Sequence, residues 1–289
     1  MTTNAADIEV RNVEKTYGIG LGERAVVKDC SFRIEPGQFT VMIGPSGAGK
    51  STLIRFIAGF EKCTRGTILA SGKPIGGPGR ARQVMFQETS LFPWMTMSEN
   101  IAYGPKARGE YTAQARHMAE RLTTRMGLDG FRTRYPSQLS GGMQRRAELA
   151  RAIVNEPAVM ILDEPFRGLD AMTKQLMLQY YATFSEESKR TNFFVTTDVG
   201  EAIFLADRLL VMTQLPTRVR ATIDVDLPRP RRLAALVEDE RANELKAGLL
   251  ALLHEEGAKS FAGGSRSAAE FLDAHRRPAV PRSQRSPEV

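Results

Sequence analysis

The chain has 289 residues, of which 42% are hydrophobic and 25% charged. This balance is ordinary for a globular protein and excludes disorder of the whole chain. The net charge of +7 suits an acidic ligand or an anionic surface without requiring either. Cys30 and Cys63 have neither metal-ligand nor disulfide spacing, so we expect free thiols. Signal-peptide and membrane-span patterns are absent from the sequence, which predicts a soluble, cytoplasmic protein.

The predicted elements begin with a strand-rich N-terminal edge. Partial alternation of apolar and polar residues over 7–17 and 26–37, ending in a Pro-Gly turn, indicates two strands there. Four short apolar runs then predict buried strands, at 39–43, 158–162, 192–196 and 208–212. Since helical patterns follow the first three, we expect an α/β fold with a mainly parallel sheet.

Helical patterns predominate between about residues 88 and 155. We interpret this stretch as a helical subdomain inserted between strands of the sheet. The strands and this insertion together predict one domain over residues 1–228.

The texture of the sequence changes after residue 228. Leucine spacing predicts one or two amphipathic helices, and a Ser-, Arg- and Pro-rich end from about residue 263 predicts a disordered, basic tail. Arg229, Arg231 and Arg232 are interpreted as part of this solvated positive charge. We therefore expect a C-terminal extension over 229–289, which could regulate, form a dimer contact or pack against the first domain.

The stretch GPSGAGKS matches the phosphate-binding loop pattern and follows a predicted strand and precedes a predicted helix. Its glycines let backbone N–H groups curl around phosphates, and the helix N-terminus adds positive potential. Lys50 would reach the β- and γ-phosphates, and the Ser51 hydroxyl would bind Mg²⁺. The expected nucleotide-binding residues are Gly44, Pro45, Ser46, Gly47, Ala48, Gly49, Lys50, Ser51 and Thr52.

The run VMILDEP places two carboxylates at the end of a buried strand. Because a buried carboxylate is costly to desolvate, Asp163 should be compensated by a cation and water, as at a magnesium site. Glu164 is placed to polarise an attacking water. An Asp-Glu pair alone can also serve as a helix cap, but the phosphate-binding loop favours the catalytic interpretation.

The stretch LSGGM predicts a second anion site, because Ser140, Gly141 and Gly142 open a helix. One chain does not need two sites for a γ-phosphate.

With these motifs in place, the sequence resembles the ATP-binding subunit of an ABC transporter over about residues 7–228. LSGGM matches the family signature, formed by Leu139, Ser140, Gly141, Gly142 and Met143; Gln87 matches the Q-loop, and Tyr17 matches the aromatic residue that stacks on adenine. The resemblance implies a P-loop NTPase fold of the ABC ATPase type, ATP and Mg²⁺ as cofactors, and Ser51, Gln87 and Asp163 around the metal. LFPWMTMSENIAYG and LPRPR further resemble the nitrate, sulfonate and taurine importer branch.

The resemblance also implies partners. Two such subunits close head to tail around two ATP molecules, each phosphate-binding loop facing the signature of the other chain. They drive transmembrane permease subunits at the cytoplasmic face of the membrane, and an external solute-binding protein acts indirectly; no nucleic acid is expected. Phe92 and Trp94 would contact the permease or else belong to the core.

Two motifs depart from the family pattern. The family has a histidine after the third buried strand, where this chain has Thr197, and its D-loop, normally Ser-Ala-Leu-Asp, here contains Arg167 and Gly168 while Asp170 is retained. Three interpretations stay open: hydrolysis is slowed, Thr197 with an ordered water suffices, or the chain pairs with a different ATPase. Two rival functions are a weakly catalytic nucleotide-binding subunit and an ABC ATPase outside transport.

Overall fold

The structure is a computed structural model that describes residues 5–18 and 22–262. The basic tail predicted from about residue 263 lies outside the described residues. No helix among those described is long and apolar enough to cross a membrane.

The strands, in chain order, are β1 (Ile8–Tyr17), β2 (Arg24–Ile34), β3 (Phe39–Ile43), β4 (Arg65–Ala70), β5 (Lys73–Pro74), β6 (Arg82–Met85), β7 (Val159–Asp163), β8 (Thr191–Thr196), β9 (Arg208–Met212) and β10 (Val219–Asp224). They form two sheets. One has the order β2-β1-β4-β5, and its neighbouring strands are antiparallel. The other has the order β10-β9-β3-β8-β7-β6 and is parallel except for β10, which runs antiparallel to β9.

The helices are α1 (Lys50–Ala58), α2 (Met97–Ala107), α3 (Ala113–Arg125), α4 (Gly141–Ile153), α5 (Ala171–Ser188), α6 (Val199–Leu205), α7 (Leu233–Glu238) and α8 (Glu240–Ala262). Helices α2, α3 and α4, which lie between β6 and β7 in the chain, pack on one another where a helical insertion was expected. The first of these starts at a capping box. Thr96 Oγ1 accepts from the Glu99 N–H at 3.3 Å, and Glu99 Oε2 accepts from the Thr96 N–H at 2.8 Å.

In this sheet β3, β7, β8 and most of β9 are buried on both faces, which explains their largely apolar sequences. In β3, Val41 and Ile43 join a core cluster with helices α2–α6 and α8, whereas Met42 points into a second cluster with α1 and the antiparallel sheet. The same alternation recurs in β8, where Phe194 joins the first cluster and Phe193 the second. The predicted mainly parallel α/β sheet with a strand-rich N-terminal edge is confirmed.

Two of the predicted strands, β3 and β9, have the expected bounds, and β7 and β8 differ by one residue. Four strands were not predicted: β4, β5, β6 and β10. Their residues are largely half-exposed or exposed, so they lack the continuous apolar signal that marks a buried strand.

The C-terminal extension packs on the core through its leucines. Leu249 is buried, while Leu233, Leu245 and Leu253 lie partly buried against the larger cluster. The predicted helices therefore form α7 and α8, although Val237 in α7 is 74% exposed.

The prediction that Arg231 belongs to a solvated basic segment is wrong. Arg231 is buried, and its Nη1 donates to the carbonyl oxygens of Ile203, Phe204 and Ala206. These are the free carbonyl groups at the end of a helix, which a guanidinium with several N–H donors can satisfy together. Arg229 is likewise engaged, because its Nη2 lies 2.8 Å from Asp207 Oδ1.

Candidate functional site

Strand order brings three loops together. β8 lies between β3 and β7, with Ile43 opposite Thr196 and Asp163 opposite Val195. Because the carboxyl ends of parallel strands share one edge of a sheet, the loops that follow these three strands meet there.

The loop between β3 and α1 has the geometry of an anion cradle. Gly47 and Gly49 have φ of 74° and 83°, the left-handed region that glycine enters without steric strain. The N–H groups of Gly47, Lys50 and Ser51 donate to no backbone carbonyl of another described residue. Unpaired N–H donors at a helix N-terminus fit a phosphate group.

Lys50 lies folded onto this loop. It is 5% exposed, and its Nζ donates to the carbonyl oxygens of Gly44 at 2.8 Å and Pro45 at 2.7 Å. Burial lowers the pKa of Lys50, although the negative charges of Glu164 and Asp163 oppose the shift. An arriving phosphate would offer this ammonium a charged partner in place of two neutral carbonyls.

Asp163 ends β7 and is 6% exposed. Burial raises its pKa, and the Ser51 hydroxyl and the Lys50 ammonium offset that shift only in part. Hydroxyl and carboxylate oxygens are the hard donors that Mg²⁺ prefers, and Mg²⁺ usually completes its shell with phosphates and water. The described residues contain no cluster of three or more His, Cys, Asp or Glu side chains that could hold a metal. The Ser51 hydroxyl and the Asp163 carboxylate are therefore suited to be ligands of Mg²⁺.

Glu164 is held in an unusual conformation. Its φ of 44° is uncommon for a residue with a side chain, and its N–H donates to the Val195 carbonyl oxygen at 2.9 Å. The carboxylate, whose side chain is 13% exposed, accepts from Arg167 Nη1 at 2.9 Å. The backbone thus aims this carboxylate at the edge where the three loops meet.

Hydrogen bonds hold two polar side chains at the end of β8, Thr196 as its last residue and Asp198 just after it. Thr196 Oγ1 donates to Glu201 Oε2 at 2.6 Å, and Asp198 Oδ1 accepts from the Glu201 N–H at 3.0 Å. Lys174 Nζ lies 2.7 Å from both Asp198 Oδ2 and Glu201 Oε1. Burial alone lowers the pKa of Lys174, but these two carboxylates outweigh it and the pKa is raised.

Thr197, which lies between Thr196 and Asp198 in the chain, is exposed. Its side chain makes no hydrogen bond to a described residue, so it is free to meet a ligand or water. His117 and His254, the described histidines, do not line the cavity around Thr197, and His275 lies outside the described residues.

That cavity has a volume of about 510 Å³, within the range of small-molecule sites. Its walls come from segments 44–46, 164–169 and 196–201, with Lys174 from α5. Helix α8 adds Leu253 and Gly257. Among the predicted site residues, it joins part of the phosphate-binding loop to Glu164 and Thr197.

Other predicted site residues lie outside this cavity. Tyr17 is 37% exposed at the end of β1, and its hydroxyl donates to Glu61 Oε1 at 2.7 Å. Burial raises the pKa of Tyr17, and the Glu61 carboxylate adds to the shift. Asp170 caps α5, because its Oδ1 accepts from the Thr173 N–H at 2.9 Å. Its carboxylate therefore already has a structural role within the chain.

The signature segment divides into an exposed and a buried part. Ser140 and Gly141 are exposed at the start of α4, and Ser140 Oγ accepts from the Met143 N–H at 3.3 Å. Leu139 is buried in the core and Met143 packs against it. Leu139 and Met143 therefore anchor the segment rather than offer contacts, whereas Ser140, Gly141 and Gly142 remain available at the helix N-terminus.

Sequence analysis missed Arg145, which ties three motifs together. Its Nη2 donates to the carbonyl oxygen of the exposed Gln87 at 2.8 Å, and its Nε donates to the Pro165 carbonyl oxygen at 2.6 Å. Its Nη1 donates to Glu148 Oε2 at 2.7 Å. The available signal was an Arg–Glu pair three residues apart within an apolar helical pattern.

Comparison with known proteins agrees with this geometry. A family model described as ABC transporter matches residues 27–167. The nitrate import ATP-binding protein NrtD of Synechococcus elongatus is 36% identical over 260 residues, covering 89% of this chain and 95% of that protein. The chain belongs to the ABC transporter family.

Further relatives place it among the ATP-binding subunits. The aliphatic sulfonates import ATP-binding protein SsuB of Bacillus licheniformis is 38% identical over 240 residues, covering 83% of this chain and 93% of that protein. A solved dimeric ATP-binding cassette in a post-hydrolysis state, bound to ADP and phosphate, superposes with a TM-score of 0.68 at 27% identity. That match covers 76% of this chain and 100% of the cassette. The predicted ABC ATPase fold is confirmed, and the chain is an ATPase of this family.

Proposed function

We propose that this chain is the energy-coupling ATPase of a membrane importer for small oxyanions or sulfonates, of the nitrate, sulfonate and taurine type. The observation that carries this proposal is the pair of relatives named for nitrate and aliphatic sulfonate import, each matched along more than nine-tenths of its length. Solute selection would belong to the permease and an external binding protein.

In this proposal the cavity and the adjoining phosphate-binding loop hold ATP. The loop N–H groups and Lys50 bind the phosphates, and Tyr17 stacks on adenine. Mg²⁺, held with Ser51, Gln87 and Asp163, would neutralise phosphate charge and orient the γ-phosphate. Glu164 accepts a proton from water as the water oxygen bonds to the γ-phosphorus and the bond to ADP breaks. The proton then leaves to solvent with release of ADP and phosphate.

A second subunit would complete the site. Ser140, Gly141 and Gly142 open α4 and do not line the cavity of their own chain. Their free helix N-terminus suits the γ-phosphate held by a partner, and the dimeric state of the solved relative supports this arrangement. The partner is either a second copy or a different ATPase that uses this chain's signature.

The permease would dock on the aromatic surface next to α2, on the cytoplasmic side of the membrane. Trp94 is 69% exposed, so it does not belong to the core. Phe92 bridges it to Tyr103, with ring centroids 5.5 Å and 4.5 Å away. An exposed aromatic cluster of this kind is typical of an interaction site.

We further propose that hydrolysis in this chain's own site is slower than in relatives with histidine at position 197. A threonine hydroxyl offers one short donor and no positive charge. Loss of one well-placed donor to transition-state charge costs about 10²- to 10³-fold in rate.

We also propose two domains, residues 1–228 with a helical subdomain at about 88–155 and an extension at 229–289.

Steady-state ATP hydrolysis tests the proposed role of Glu164 and the proposed slow hydrolysis. Glu164→Gln is the inactive reference, and Thr197→His is the variant expected to hydrolyse ATP faster. We expect Glu164→Gln to abolish turnover and Thr197→His to raise it. Equal rates for the parent and Thr197→His would reject the proposal that hydrolysis is slowed.

Genetic deletion of the chain tests the transport assignment and should abolish uptake of nitrate or an alkanesulfonate. Unchanged uptake of nitrate, alkanesulfonates and taurine would reject that assignment.

A further inference from the structure

Arg167 occupies a distinctive position in the cavity. It follows Glu164 by three residues, and its N–H donates to the Glu164 carbonyl oxygen at 3.1 Å, closing a turn. Its Nη1 lies 2.9 Å from Glu164 Oε2, while the arginine side chain is 59% exposed. Gly168, the next residue, has φ of 78°, so the backbone turns sharply after the arginine.

Two cationic side chains among the described residues line the cavity, Arg167 and Lys174. Lys174 is neutralised by two carboxylates, each 2.7 Å from its Nζ. Arg167 contacts one carboxylate through one nitrogen, and its Nε and Nη2 donate to no described residue. Arg167 is therefore the cavity cation with donors to spare for a second anion.

Thr197 lines the same cavity and brings no charge to it. Arginine keeps its charge at any pH that a protein tolerates, and its fork of donors can contact two oxygen groups at once. One part of the guanidinium can hold the carboxylate of Glu164 while another faces the negative charge that develops on a γ-phosphate. Arg167, one departure from the family pattern, then compensates in part for another, Thr197.

We propose that Arg167 is a positioning residue for hydrolysis in this chain: it orients Glu164 and supplies the positive charge that Thr197 lacks. This inference rests on the proposed function of the cavity as the hydrolysis site. It predicts that the effect of a histidine at position 197 depends on whether Arg167 is present.

The test uses the full-length chain and compares the parent with Arg167→Ala, Arg167→Lys, Thr197→His and the double variant. Hydrolysis is followed under single-turnover conditions with radiolabelled ATP, and ATP binding is measured by calorimetry. Arg132→Ala is the matched control, because Arg132 also pairs with a carboxylate three residues away, Asp129, but outside the cavity. Glu164→Gln reports on the site itself.

We expect Arg167→Ala to lower the hydrolysis rate at least about tenfold, as for loss of one charged hydrogen bond, with ATP affinity unchanged within about twofold. Arg167→Lys should keep an intermediate rate, and Arg132→Ala the parent rate. Thr197→His should raise the rate by a larger factor in the Arg167→Ala background than in the parent.

An unchanged or faster rate in Arg167→Ala would overturn the inference, as would an equal gain from Thr197→His in both backgrounds. A loss explained by weaker ATP binding would also overturn it. If Glu164→Gln keeps the parent rate, or the parent shows no turnover, the proposed hydrolysis site fails as well. If only Glu164→Gln is inactive, the inference about Arg167 fails by itself.

Discussion

Arg145 Nη1 lies 2.7 Å from Glu148 Oε2, and the two side chains are 4% and 3% exposed. Ser90 Oγ donates to the other carboxylate oxygen of Glu148 at 2.6 Å. Ion pair and hydrogen bonds thus connect the signature helix α4 to the segment that follows β6. Both charges of this pair are buried, and the other cation near Glu148, Arg151, lies farther away, with its Nη2 3.8 Å from Glu148 Oε1. Removal of Arg145 therefore takes away the nearest compensating charge of a buried carboxylate.

Arg145→Ala is therefore expected to lower the free energy of unfolding by about 3–5 kcal/mol, the usual cost of breaking a buried ion pair from one side. Urea denaturation of the nucleotide-free protein measures this. Arg132→Ala, which removes an exposed pair at the same spacing, should cost at most about 1 kcal/mol. Similar losses in the two variants would contradict the difference in burial.

Arg231→Lys should also be destabilising, by about 2 kcal/mol or more, although it conserves charge. One ammonium cannot reach all the carbonyl groups that the guanidinium satisfies, and a buried unpaired carbonyl costs about 1–3 kcal/mol. Arg232→Lys is the matched control, because Arg232 is exposed. Thermal unfolding measures both, and a stable Arg231→Lys variant would show that the carbonyl groups find other partners.

Asp163→Asn is expected to stabilise the nucleotide-free protein at neutral pH by about 0.5–2 kcal/mol, as single stabilising substitutions do. Burial raises the folded-state pKa of Asp163, so the folded protein binds a proton more tightly than the unfolded chain. Stability therefore falls as pH rises above the unfolded pKa of about 3.9, and the parent carries this loss at pH 7.

The advantage of Asp163→Asn should shrink as the pH approaches 4, because a growing fraction of the parent carboxyl is then protonated. Chemical denaturation at pH 4 and pH 7 measures this, with the fully exposed Asp226→Asn as control. A variant that is equally stable to the parent at both pH values would contradict the predicted cost of the buried carboxylate.

Trp94→Ala should lower hydrolysis that depends on the permease, by about tenfold or more if Trp94 is an anchor of the interface. The rate of the isolated chain should not change, since Trp94 does not line the nucleotide cavity. Val237→Ala removes another exposed apolar side chain and serves as control. ATP turnover in membranes and in solution separates the two effects; loss in solution would indicate a folding defect instead.

Sequence analysis predicted features that depend on residues close together in the chain and missed features that depend on residues far apart in it. β3 and β9 were predicted because short, mainly apolar runs mark a strand buried on both faces. β6 escaped because Arg82 and Gln83 interrupt its apolar pattern at the edge of the sheet. The phosphate-binding loop and Glu164 could be predicted as site residues because their chemistry needs fixed local spacing.

The residues that were missed act across long sequence distances. Lys174 meets Asp198 from 24 positions away, and Arg145 reaches Gln87 across 58. Arg231 was predicted to be a surface charge, because its burial depends on contacts with the distant C-terminal end of α6. A single sequence carries no local signal that identifies the distant partners of such side chains.

The backbone at Glu164 has a consequence for laboratory selection. Holding a residue with a side chain at φ 44° costs about 1–3 kcal/mol, whereas glycine adopts this conformation freely. A library screened for heat resistance alone would enrich Glu164→Gly and discard the proposed proton acceptor in the same step. The most heat-resistant variants would then include ones that hydrolyse ATP poorly, unless the screen also measures ATP turnover.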